Sequence, residues 1–185
     1  KNTPAESMPK IHYNAPTILT FSLLCVLFCL INADNWCAVP GDLRSPMDYV
    51  RLFTHVLGHG GWPHLLGNLT FILLLGPILE DRYRSGYMAL IILATALVTG
   101  LAHVLLSPAS SSLLGASGVV FMLIILASIV NIRGGSIPLT FILIAIIFIG
   151  KEVTDALHKD DNVSQLAHIV GGGVGAVFGF RKKKR

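Results

Sequence analysis

From Ser85 to Ile132 the chain runs 48 residues without a single Asp, Glu, Lys or Arg, and no other feature constrains its fold as strongly. A helix rises ~1.5 Å per residue and needs about 20 residues to cross ~30 Å of hydrocarbon. The run is therefore too long for one crossing, and Ser107-Pro108-Ala109-Ser110-Ser111-Ser112 divides it into two. Ile11–Ala33 is also charge-free and reads as a first spanning helix, an uncleaved anchor. Phe53–Leu79 is charge-free too, but Gly58, Gly60, Gly61 and Pro63 break it, so the second helix is expected to open near Pro63 and run to about Arg82. Leu139–Gly150 is the fifth apolar run and Asn162–Phe180 the sixth. Between Asp34 and Trp62 a mixed stretch reads as a folded first outer loop holding an interfacial helix. The expected fold is an all-α membrane protein of six crossings: a short N-terminal segment (1–15), a membrane domain (16–180) and a basic tail (181–185).

Composition agrees with that class. Of 185 residues 53% are hydrophobic and 13% charged, where a soluble domain carries about a quarter charged. Ten of the fourteen Lys and Arg are Lys1, Lys10, Arg82, Arg84, Arg133 and the run Arg181–Arg185, all on one side of a six-crossing layout, against four (Arg44, Arg51, Lys151, Lys159) on the other. By the positive-inside rule both ends of the chain are cytoplasmic. Such charge meets lipid headgroups and sets topology, and it does not read as a nucleic-acid surface. Cys25, Cys29 and Cys37 are odd in number and lie in or beside an apolar segment, which suits small apolar side chains better than disulfides.

Polar groups inside spanning helices are costly and are functional candidates by default. Here they are Ser117, His168, His64, Asn68, His59 and His103. Counting ~1.5 Å per residue from the cytoplasmic end of each helix puts Ser117 ~21 to 24 Å up and His168 ~20 Å. The same count gives His64 ~24 Å and Asn68 ~18 Å. All four share a layer roughly 6 to 12 Å below the outer face, and His64 and Asn68, at i and i+4, share a helix face.

Alone, Ser117 between Gly115 and Gly118 reads better as a helix cap than as a nucleophile. At one depth with His168 it reads as a nucleophile whose proton passes to a neutral imidazole. The Ser117 backbone N–H, His64 and Asn68 are then candidate donors to a developing oxyanion. Without a carboxylate at this depth the pair is a dyad, with Phe121 packing one turn below Ser117. His168 lies on the face of Gly171, Gly175 and Gly179, small residues that let helices approach closely; packing alone also accounts for that stripe. His55, His59 and His64 could ligate zinc, but no Asp or Glu stands ready to activate a bound water, and a structural role for His59 is the other reading. Glu80 with Arg82 reads as a structural pair at the cytoplasmic end.

These residues resemble the rhomboid family of intramembrane serine proteases. Gly115-Ala116-Ser117-Gly118 is similar to its Gly-x-Ser-Gly motif, and Ala167-His168-Ile169-Val170-Gly171 followed by Gly175 to its Ala-His-x-x-Gly-x-x-x-Gly. His64 and Asn68 match its second-helix His and Asn, and Glu80-Asp81-Arg82 its Glu-x-Arg. The resemblance covers nearly everything from residue 15 on and looks closest to a short bacterial form without a cytoplasmic N-terminal domain.

The resemblance implies a six-helix bundle in a bacterial inner membrane that cleaves transmembrane segments of other proteins and opens to the non-cytoplasmic side. Its partners would be transmembrane substrates and the bilayer, with no cofactor, metal or nucleic acid. Ser117 would be nucleophile and His168 base, with Ser117, His64 and Asn68 at the oxyanion, and the fifth helix with the loop Lys151–Gln165 forming gate and cap. Two departures stand out: the family's first-loop Trp-Arg is Val50-Arg51 here, so the structural role of Arg51 is less anchored, and a tyrosine common four residues after the serine is Phe121. The alternative function is a rhomboid-like protein that holds membrane clients without cutting them; a metal-dependent hydrolase is the third.

Overall fold

A computed structural model describes residues 13–130 and 162–181, together with 139, 142, 143, 146 and 147. The fifth apolar run, apart from those five residues, and the stretch 151–161 of the expected gate lie outside the described residues. The fold is mainly helical. Among the described residues the bounded helices are α1 (Pro16–Leu30), α2 (Asp34–Cys37), α3 (Pro46–Thr54), α4 (Trp62–Tyr83), α5 (Ser85–Leu106), α6 (Ser117–Val130) and α7 (Asn162–Arg181), with two short strands, β1 (Val39–Pro40) and β2 (Ser112–Leu113).

Helices α4 and α5, 22 residues each, are long and apolar enough to cross a membrane; α1, α6 and Leu166–Arg181 of α7 are apolar over shorter lengths. The first helix is shorter than its charge-free window. Pro16 opens it, its missing N–H being one the first turn could not satisfy anyway. Asn32 takes a φ of 50° just beyond it, so the chain turns inside the window and α2 begins directly after it, at Asp34. The loop expected to end at Gln165 also gives way earlier, because α7 begins at Asn162.

Packing explains which helix sits where. Val119, Val120, Met122, Leu123, Ile124 and Leu126 of α6 are all buried, so α6 is the apolar centre of the bundle. By contrast α4 exposes Leu66, Leu73, Leu74 and Ile78, and α5 exposes Leu90, Leu93 and Leu105, faces suited to lipid. Helix α7 packs most extensively on α6 and next on α5.

At the opposite end from the Ser117 turn, Glu80 of α4 reaches α1. Its two carboxylate oxygens accept the Thr17 and Ile18 N–H groups at 2.9 Å each, two first-turn donors that no intrahelical partner could take. Beside them Gly76 lets Ile18 close onto α4: a Cβ there would lie 2.7 Å from Ile18. Among the described residues Glu80 meets the α1 backbone and makes no ion pair with Arg82. Glu80 is buried and holds α1, while Arg82 is exposed. Sequence distance hid this, since the partners lie more than sixty residues apart.

The segment between α1 and α4 is structured by polar contacts. Ser45 and Asp48 form a capping box at the start of α3. Arg51 pairs with Asp48 at 2.6 Å and donates to the carbonyls of Trp36 and Asn35 at 3.1 and 3.3 Å, tying α3 to α2. The N–H groups of Arg44 and Ser45, with the Arg51 guanidinium, hold the Asp48 carboxyl down at about 2. Leu52 faces inward against Gly100 of α5, while Met47, Tyr49, Val50 and Phe53 stay exposed. The strands β1 and β2 pair antiparallel, Val39 with Leu113 and Pro40 with Ser112, joining this segment to the chain just before Ser117.

Candidate active site

The turn Gly115-Ala116-Ser117 is held from three directions. Gly115 has a φ of 120°, a conformation that only glycine adopts readily, and a Cβ there would lie 2.7 Å from Cε1 of His64. Its N–H donates to the His55 carbonyl at 3.0 Å. The Ala116 carbonyl accepts the Val120 N–H at 2.9 Å, the first bond of α6. Ala116 therefore holds the cap position and Ser117 is the first residue inside the helix. The cap reading of Ser117 fails on that geometry, and the half-buried side chain remains open to other use.

His168 arrives on α7 through backbone contact. A Cβ on Gly171 would collide with the Gly118 carbonyl; on Gly175 it would lie 2.6 Å from the Met122 carbonyl oxygen, and on Gly179 3.0 Å from Ile129. Gly118 answers from α6, where a Cβ would lie 3.1 Å from Thr99 and 3.2 Å from the Ala167 carbonyl oxygen. The glycine stripe thus brings α7 onto α6 at the level of Ser117. The His168 ring lies parallel to Phe121, 4.7 Å away at 6°, and is buried. Phe121 is one turn from Ser117 on the same face of α6, so serine and imidazole occupy one layer on facing helices.

From α4, His64 is exposed and approaches Gly115, and its ring meets that of His59 edge-on at 5.1 Å. One turn further along, Asn68 is buried, and its Nδ2 has no hydrogen-bond partner among the described residues. A buried amide donor left unpaired carries a desolvation cost, which a developing negative charge would relieve.

Two groups went unremarked in the sequence. Asp34 accepts the His59 N–H at 2.9 Å, and Thr99 Oγ1 lies 3.3 Å from His55 Nε2. For Thr99 a signal existed: it stands four residues before His103 on α5, and His103 is buried beside the backbone of Val39 and Ser111. Burial holds His55 down at about 3, with His103 adding to the effect; burial, then His64, holds His59 at about 4. Among the described residues no three His, Cys, Asp or Glu stand in metal-ligating arrangement.

Comparison with known proteins fits this geometry. The family model described as Rhomboid domain matches residues 46–185. Over 161 residues the chain is 32% identical to mouse rhomboid-related protein 2, which covers 76% of this chain and 53% of that protein. Over 140 residues it is 33% identical to Caenorhabditis elegans rhomboid-related protein 1, covering 70% of this chain and 39% of that protein. The chain therefore spans about half, or less, of the length of these relatives. Both are animal proteins and lend no support to a bacterial inner membrane in particular.

Proposed function

The chain belongs to the rhomboid family, and on that premise we propose that it is an intramembrane serine endopeptidase cutting transmembrane segments of other membrane proteins. The observation that carries the reading is the stack of His168 on Phe121, one turn from Ser117, with Gly171 seated on Gly118. In this reading the six apolar runs cross the bilayer, residues before Ile11 and after Phe180 face the cytoplasm, and the site opens to the other side.

The chemistry follows from the groups in that layer. His168, neutral, takes the Ser117 hydroxyl proton as the oxygen attacks a peptide carbonyl. The carbonyl oxygen becomes an oxyanion, met by the Ser117 N–H, the His64 ring and the unpaired Asn68 Nδ2. His168 then passes its proton to the leaving amine, and the N-terminal product stays esterified to Ser117. Water, deprotonated by the same imidazole, attacks the ester and releases the carboxylate. With no carboxylate beside His168 among the described residues, Phe121 and the α6–α7 glycine contacts orient the imidazole. A bound substrate helix must unwind locally before its carbonyl can reach Ser117.

A fluorophosphonate probe applied to the detergent-solubilised protein tests the reading. The expected result is one adduct, on Ser117, lost in His168→Ala. A protein that crosslinks to a membrane client yet never labels would instead be a holder of clients.

A further inference from the structure

The turn before α6 offers three backbone N–H groups, and two are already taken by the segment between α3 and α4. Gly115 N–H donates to the His55 carbonyl at 3.0 Å, and Ala116 N–H points at Nε2 of His59, 3.5 Å away. A ring nitrogen that accepts from an N–H must be unprotonated. The other ring nitrogen, Nδ1, lies 3.1 Å from the Leu57 carbonyl, which only accepts, so Nδ1 carries the hydrogen. Two separate contacts thus require the same neutral tautomer. The ring is fully buried, and Asp34 fixes it further by accepting the His59 backbone N–H.

We propose that His59 is a positioning residue: its neutral Nε2 commits the Ala116 N–H, leaving Ser117 to supply the turn's backbone donor to the oxyanion. The proposal rests on the protease reading. A second proton on His59 would set two N–H donors face to face and push the turn away. The groups facing the ring are Asp34, which favours the charge, and His64, which opposes it together with burial. The ring therefore stays neutral at ordinary pH, with His59 held down at about 4.

The test compares two substitutions in the full chain. In His59→Gln the side-chain oxygen reaches the place of Nε2 and accepts; in His59→Asn the shorter amide reaches only the place of Nδ1. Hydrogen exchange is followed in the peptide spanning Leu114–Gly118, alongside the rate of fluorophosphonate labelling. His59→Asn is expected to speed exchange at Ala116 and slow labelling, each by about tenfold, the worth of one hydrogen bond. His59→Gln is expected to restore both to within about threefold of the unsubstituted protein. Equal exchange in the two variants overturns the proposal. Exchange needs no chemistry, so a chain that never labels would sink the protease reading while the exchange arm still judged His59.

Discussion

Replacing Gly171 by alanine adds one methyl group where α7 meets α6. The added carbon would overlap the Gly118 carbonyl oxygen and lie 2.8 Å from the Gly118 carbonyl carbon and 3.0 Å from its Cα. All three are backbone atoms, so no side chain can turn aside, and the helices must part by roughly 1 Å or more to regain ordinary contact. Overpacking of this kind costs about 1–3 kcal/mol, against at most about 1 kcal/mol gained from alanine's helix propensity. His168 sits three residues away on α7, and moving a catalytic base by ~1 Å costs about 10²-fold in rate. Gly173 is the control on the same helix, exposed and with open space where its Cβ would fall. Turnover of a single-span model substrate and melting in detergent should be measured for both variants. Gly171→Ala is expected to lose about 100-fold in kcat and to melt lower, while Gly173→Ala keeps both. A Gly171→Ala protein as active and stable as Gly173→Ala refutes the argument that backbone contact at Gly118 places His168.

Other substitutions separate stability from chemistry. Asn68→Ala should lower kcat by about 10²- to 10³-fold, as loss of an oxyanion donor does, while leaving the melting temperature unchanged or higher because Nδ2 makes no bond among the described residues to forfeit; a lower melting temperature with intact kcat would contradict this. Glu80→Ala strips the Thr17 and Ile18 N–H groups of their acceptor and should destabilise by about 2–3 kcal/mol, seen as earlier melting. Cleavage well below that melting temperature should survive. Acid should weaken the fold through His55 and His59, whose folded values of about 3 and about 4 lie below the ordinary 6.5. The unfolded chain then binds protons that the folded one refuses, so stability is complete above pH 6.5 and falls as pH drops toward 4. At pH 4.5 the loss is on the order of 2–3 kcal/mol per ring, and His59→Gln should remove about half of it in melting curves taken across pH.

Much of the site could be read before any coordinates because depth in a membrane helix is a matter of counting. Ser117, His168, His64 and Asn68 stand on apolar helices followed in sequence by charged residues, and the spacing of Gly171, Gly175 and Gly179 names the contacting face. Pro63 and the Ser107–Ser112 stretch mark real boundaries, beside the starts of α4 and β2. Helix α1 is shorter than its window because absence of charge says what lipid tolerates, not where the backbone turns. The β1–β2 pair has two residues per strand, too few for any alternation to show. The contacts of Glu80 with Thr17 and of His55 with Gly115 join residues about sixty apart, and Thr17, His55 and Gly115 take part through backbone atoms that every residue type shares, so composition and motif do not name the pairs.

The central claim is that Ser117, activated by His168, cuts a peptide bond within a transmembrane segment. Its most direct test is incubation of a single-span substrate with the purified protein and with Ser117→Ala, the products weighed by mass spectrometry to place the cut. Two fragments that meet at one bond within or at the edge of the apolar segment are expected, and none with Ser117→Ala. Cleavage that persists in Ser117→Ala contradicts the claim.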